Sequence, residues 1–239
     1  LYGHGGNGMS IQNSVYHDNS KESIELALGM EGVNGVEVDV RLSLDGELWL
    51  YHDDRLESQT NTSGCISELN EEMLETICYE TANKEKLVKL SDLDFTKYAG
   101  KKFLIDARHY NGCDYSEIDY QLFVDRLSIL KTEFPSVKFT VLSKFKGWMS
   151  LFDSAGFELF YELNSMDEYE QLQTENIQFD GVIIKNALFD ASHIQQFRAN
   201  SKKVIIFDVR SPKSIKKALK KAPDGLLTDD LRAAIIEKY

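Results

Sequence analysis

The sequence predicts an α/β fold, a TIM-type (β/α)8 barrel that is irregular around its second and third strands. Three observations carry that expectation. Short β-branched and aromatic runs alternate with helix-length amphipathic segments, the pattern of a parallel sheet with helical crossovers. Runs such as Val204-Ile205-Ile206-Phe207 are apolar without alternation, as strands buried on both faces are. The 239 residues suit one barrel domain spanning 1–239, and Pro135, Pro212 and Pro223 are the only prolines in a chain without a Gly/Ser-rich linker.

In chain order, the strand candidates are 1–3, 36–40, 47–51, 102–105, 138–142, 158–162, 181–184, 203–207 and 225–227. Helical patterns fall at 20–30, with Ile24, Ala27 and Leu28 on one face, and at 119–133, with Leu122, Phe123, Leu127 and Leu130 in register. Others fall at 147–155, 166–175, 192–200 and 212–220. Nine strand candidates compete for eight places. The segment 41–46 is also too short for a crossover helix. Either an extended link joins the second and third candidates, or they form a hairpin.

Bulk composition narrows the function classes. Apolar residues at 42% and charged residues at 28% give a normal core and argue against wholesale disorder. A net charge of −12 argues against a nucleic-acid partner and against docking on an anionic membrane. It leaves an anionic small molecule open, because one bound cation reverses the field inside a cleft. Cys65, Cys78 and Cys113 are odd in number and lack zinc-site spacing, so they are expected to be ordinary thiols. No stretch is long and apolar enough to span a bilayer. With no signal peptide visible, the expectation is a cytoplasmic chain; a start at Leu1 without methionine keeps a periplasmic or secreted one as the alternative. Oligomeric state is not legible.

Polar residues gather where the predicted strands end, and in a parallel barrel those ends share one rim. His4 follows the first strand among Gly3, Gly5 and Gly6; Glu37 and Asp39 lie on the second. His52, Asp53 and Asp54 end the third, and Asp106, Arg108 and His109 the fourth. Ser143 and Lys144 end the fifth, and Lys185 the seventh. Two residues apart, Glu37 and Asp39 point to one face, where two carboxylates repel unless a cation lies between them. Mg²⁺ or Ca²⁺ takes such oxygen ligands, and Asp106 adds a third carboxylate. The bland alternative is an edge strand with both acids in solvent. His4 has the alternative of an incidental turn histidine, and His52 that of a hydrogen-bonded core histidine. His109 is a candidate group beside Arg108, whereas His17 and His193 read as surface residues.

Together these pieces resemble the glycerophosphodiester phosphodiesterase family, within the phospholipase C-like phosphodiesterase barrels, over almost the whole chain. The residues that carry the likeness are His4-Gly5-Gly6, Asn19-Ser20-Lys21-Glu22-Ser23, Glu37-Val38-Asp39, Asp45-Gly46 and His52-Asp53. Asp106-Ala107-Arg108, Ser143-Lys144-Phe145 and Asp224-Gly225-Leu226-Leu227-Thr228-Asp229 continue it. The resemblance implies that His4 and His52 form an acid–base pair and that Glu37, Asp39 and Asp106 hold one divalent cation, Mg or Ca. Arg108, Lys144 and Lys185 are the candidate substrate-binding cations. The implied reaction releases glycerol 3-phosphate and an alcohol through a cyclic phosphate. Three departures stand out: Gly5 replaces the arginine of most members, Asp106 replaces a glutamate, and Phe207 replaces the late-strand tryptophan. A sugar phosphodiester or a lysophospholipid is an alternative substrate, and Phe145, Trp148 and Met149 form the one modest apolar patch that would suit a lipid. A barrel that binds phosphorylated ligands without turnover is the alternative from another class.

Overall fold

The computed structural model describes residues 1–8 and 15–238. In chain order the strands are β1 (Tyr2–Gly3), β2 (Gly35–Leu42), β3 (Leu48–Leu50), β4 (Val88–Lys89) and β5 (Lys102–Ala107). They continue with β6 (Lys138–Ser143), β7 (Glu158–Leu163), β8 (Gly181–Lys185), β9 (Lys203–Phe207) and β10 (Gly225–Thr228). The helices are α1 (Lys21–Leu28), α2 (Glu71–Leu74), α3 (Tyr120–Glu133), α4 (Met149–Ser154), α5 (Met166–Thr174), α6 (Ala191–Ala199), α7 (Pro212–Leu219) and α8 (Leu231–Lys238).

Eight parallel strands close on themselves in the order β1-β2-β5-β6-β7-β8-β9-β10 and back to β1. Alternation along each strand builds two packed layers. Leu104, Leu142, Phe160, Ile183, Ile205 and Leu227 fill the interior. Residues one step along, such as Ile105, Val141, Leu159, Val182 and Ile206, pack outward against the helices. Helix starts follow from local chemistry. Ser20, Asp119, Ser165, Asp190 and Ser211 each accept a hydrogen bond from a first-turn N–H, and Pro212 suits the first turn of α7.

The surplus ninth strand is β3, and it forms the hairpin. It runs antiparallel to β2, pairing Val40 with Leu50 and Leu42 with Leu48 across a turn in which Gly46 adopts φ +80°. The chain then builds a small lobe before returning as β4 and β5. This lobe has its own apolar cluster, including Trp49, Tyr51, Leu56, Ile66, Leu74 and Tyr79. It replaces the helical crossover that 41–46 had no room for.

The expectation of three free thiols is overturned. Cys65 in the lobe and Cys113 in the β5–α3 loop form a disulfide with a Cα–Cα distance of 5.7 Å, and Cys78 is free. The lobe packs against that loop, which brings together cysteines 48 residues apart. The Ser67 hydroxyl donates to Asn111 Oδ1 at 2.6 Å beside the bridge. A side chain on Gly112 would meet the Asp54 carbonyl at 2.0 Å, so backbone rests on backbone there. Closing a loop of this length constrains the unfolded chain by about 4 kcal/mol on the chain-entropy account.

At the N-terminal end of the barrel, Glu158 receives Lys102 Nζ, Lys203 Nζ and the Thr140 hydroxyl, each at 2.6 Å. Burial opposes its charge, but these hydrogen bonds outweigh it and hold its pKa at about 2. A depressed carboxyl pKa stabilises the fold above the unfolded value and loses that contribution as pH falls toward the folded one. Urea unfolding of Glu158→Gln and wild type should therefore converge between pH 4.5 and 2, with wild type losing about 1–2 kcal/mol more after solvent screening. A constant difference across that range would remove Glu158 from the acid response.

Candidate active site

The carboxylates come together by register. On β2, Glu37 and Asp39 alternate with Val36, Val38 and Val40, which face the helix layer. Asp39 is paired with Asp106 across the β2–β5 ladder. Oxygens of Glu37, Asp39 and Asp106 all lie within 4.8 Å of one another. The edge-strand reading therefore fails: Glu37 and Asp39 are buried at the barrel rim, not in solvent. Three hard oxygen donors on one face fit a divalent cation.

The electrostatics show strain consistent with that fit. Burial raises Glu37 well above the ordinary carboxylate range, and the Asp39 charge adds to the effect. Asp106 is raised by burial, with Asp39 and Glu162 adding to it against the opposing Arg108. Asp39 goes the other way: burial opposes its charge, but Arg108, His52 and Asn19 lower its pKa. The Arg108 guanidinium is hydrogen-bonded to Asp39, and its Nη2 lies 3.1 Å from Asp106. Arg108 is thus a brace between two carboxylates as well as a rim cation.

Asn19 acquires a role from the geometry. It sits in the left-handed region at φ 59°, donates from Nδ2 to Asp39 Oδ2 at 2.8 Å, and accepts the Asp39 N–H at 2.9 Å. Ser20 then caps α1. The Asn-Ser element therefore fixes a carboxylate and starts a helix in two adjacent residues.

His4 follows β1 on a tight loop. There is no room for a side chain at Gly8, at φ +117°, where a Cβ would lie 1.9 Å from the Asp229 carbonyl. The Gly5 N–H donates to Glu37 Oε2 at 2.9 Å. His4 Nδ1 lies 2.7 Å from Asp229 Oδ1, and Nε2 is directed at the acidic cluster, 3.9 Å from Glu37 Oε2. Burial would lower the His4 pKa, but the Asp229 hydrogen bond and the charges of Glu37, Asp229 and Asp39 lift it to about 9.

His52 reaches the same place by an unexpected path. It does not cap a barrel strand. The antiparallel return of β3 brings it back beside β2, where the Tyr51 N–H donates to the Asp39 carbonyl at 3.0 Å. His52 Nδ1 lies 2.6 Å from Asp53 Oδ1. Both imidazoles therefore carry a carboxylate at Nδ1, which leaves Nε2 for chemistry. Arg41, two residues beyond Asp39 on the same strand face, holds this turn: its Nη2 donates to the His52 carbonyl at 3.0 Å and to Asp54 Oδ1 at 2.7 Å.

The other candidates spread around the rim. Lys144 ends β6 and lies 3.7 Å from Glu162, a rim acid on β7. Lys185 ends β8, its amine 5.9 Å from the Phe207 ring centroid. His109 stacks on Phe145 at 4.5 Å, and burial with Lys144 and Arg108 lowers its pKa. Two expectations need correction. His17 is not a surface residue: its ring stacks on Tyr79 at 3.7 Å, because the lobe folds over residue 17. Trp148 and Met149 are fully buried in the outer core, so the apolar patch that suited a lipid is reduced to Phe145. His193 lies in the capping box that opens α6, with about a third of its side chain exposed, 32%.

Asp229, Arg41 and Glu162 were not singled out by sequence. Asp229 closes a quoted motif, but a position after the last strand gives no sign that it meets the first histidine.

A model of the glycerophosphoryl diester phosphodiesterase family matches residues 4–150. No curated protein matches the chain. Among solved structures, an Oleispira antarctica phosphodiesterase in complex with the product sn-glycerol-3-phosphate superposes with a TM-score of 0.83 at 17% identity, covering 99% of this chain and 95% of that one. A glycerophosphodiester phosphodiesterase from Agrobacterium tumefaciens gives 0.75 at 15%, covering 99% and 97%. One from Thermotoga maritima gives 0.70 at 19%, covering 99% and 96%. These structural likenesses establish the barrel.

Proposed function

The chain belongs to the glycerophosphoryl diester phosphodiesterase family, and from that premise we propose that it hydrolyses glycerophosphodiesters to glycerol 3-phosphate and an alcohol at the His4, Glu37, Asp39, His52 and Asp106 centre. As a member of this family it is a phosphoric diester hydrolase. The observation that carries the finer reading is the pair of histidines, each bound at Nδ1 by its own carboxylate, beside three converging acids. The Oleispira antarctica structure, with glycerol 3-phosphate as product, supports the choice of substrate class.

Glu37, Asp39 and Asp106 would hold one hard divalent cation, magnesium or calcium, which when bound neutralises charge building on the phosphoryl group. The histidines move the protons. One imidazole Nε2 takes the proton of the substrate glycerol's 2-hydroxyl as its oxygen bonds to phosphorus. The bond from phosphorus to the headgroup oxygen breaks, and the other imidazole protonates that oxygen. Intramolecular attack gains from proximity. Water then opens the cyclic phosphate with the two roles reversed. Arg108 orients the acids, and Lys144 and Lys185 add positive potential at the rim. Two imidazoles placed beside three converging acids support turnover over passive binding of a phosphorylated ligand. The Cys65–Cys113 bridge favours an oxidising compartment over the cytoplasm.

Incubation with glycerophosphocholine should release glycerol 3-phosphate, cease in chelator and resume with added magnesium or calcium. Full release in chelator, or choline phosphate as the product, would contradict the reading.

A further inference from the structure

The fold places an arginine that the reaction above does not use against Asp229, the carboxylate that holds His4. Arg210 lies on the connection from β9 to α7, which opens on the catalytic rim. Asp208, at φ 60°, turns the chain there. The Val209 carbonyl then accepts the Thr228 hydroxyl at 2.9 Å and the Asp229 N–H at 3.3 Å. Residues 228–229 are fastened in turn to the first loop, because the His4 N–H donates to the Thr228 carbonyl at 3.1 Å. These bonds set Arg210 against Asp229, with Nε 2.9 Å from Oδ2, while Oδ1 of the same carboxylate holds His4. Asp229 is 1% exposed, yet the Arg210 side chain is 65% exposed. A guanidinium pinned at Nε on a buried acid, with the rest of its fork in solvent, is anchored without being used up.

Three of the other rim cations are committed elsewhere. Arg108 is bonded within the acidic cluster, Arg41 holds the His52 turn, and Lys144 leans toward Glu162. Gly5 puts no side chain beside His4, and its φ of 58° disfavours one. We propose that Arg210 supplies the positive charge on the His4 side: through Asp229 it positions the imidazole, and with its remaining N–H groups it binds the phosphoryl oxygens of substrate and product. The proposal rests on the reading of His4 as a proton-transfer group. A planar fork suits phosphate, and charge-assisted hydrogen bonds of this kind are the strong ones.

The test uses Arg210→Ala, Arg210→Lys and, as a control on the underlying reading, His4→Asn. The probes are glycerol 3-phosphate binding by calorimetry, the kcat and KM of glycerophosphocholine turnover, and urea unfolding. Arg210→Ala should bind glycerol 3-phosphate about tenfold or more weakly and raise KM, and Arg210→Lys should recover part of both. Weaker product binding and a raised KM at unchanged stability, partly restored by lysine, are readouts that a merely structural brace would not give. Wild-type product affinity and KM in Arg210→Ala, with His4→Asn inactive, would overturn the proposal and leave the function standing. Full turnover by His4→Asn would refute the reading of His4, and the positioning half with it; the affinity measurement would still decide the phosphate contact.

Discussion

Asp39→Asn should reduce glycerophosphodiester turnover by about 10³-fold or more, because the several kcal/mol of charge stabilisation expected from a bound cation depend on this carboxylate. Asparagine keeps the shape and the backbone N–H that Asn19 receives, so the β2 scaffold persists. What it removes is the ionised oxygen pair shared by Arg108, Asn19 and the acidic cluster. Stability should fall as well, since a buried ion pair is broken, but Asp106 stays 3.1 Å from Arg108 and limits the loss. The informative comparison is manganese affinity measured on folded protein, which should fall at least tenfold. Wild-type turnover and metal affinity in Asp39→Asn would dismiss the three-carboxylate site.

Loss of either histidine should be comparably severe. His4→Ala and His52→Ala should each lower turnover of glycerophosphocholine by roughly 10²–10⁴-fold, the usual worth of a positioned proton-transfer group. The two should separate on an activated diester with a nitrophenol leaving group, which needs no general acid. One variant should then recover most of its activity and the other should not, which identifies the acid. The wild-type profile should be bell-shaped, because one imidazole begins neutral and its partner protonated. Near wild-type turnover by both variants would remove the acid–base pair.

Much of this was legible in the residues because it depends on periodicity. Alternation placed Glu37 and Asp39 on one face of β2, and the apolar runs located the eight barrel strands. Asp106 was found as a polar residue at a strand end, and its register partner is Asp39. What escaped was set by packing between distant segments. The lobe consists of short turns and the four-residue α2, too brief for a periodic signal. Cys65 and Cys113 meet only because that lobe leans on the β5–α3 loop, and His17 is covered because Tyr79 of the same lobe stacks on it. His52 was expected at the end of a barrel strand; it arrives by the antiparallel return of β3, which gives it the same neighbours by another route. Asp229, with Arg210 against it, meets His4 only when β10 closes against β1, a contact between the two ends of the chain.

Anomalous diffraction from crystals grown with manganese and glycerol 3-phosphate tests the central claim most directly. The account predicts one strong peak at about 2.0–2.6 Å from oxygens of Glu37, Asp39 and Asp106, with the phosphate beside it and the Nε2 atoms of His4 and His52 on opposite sides of phosphorus. A phosphate seated elsewhere, or no manganese among the three carboxylates, would contradict it.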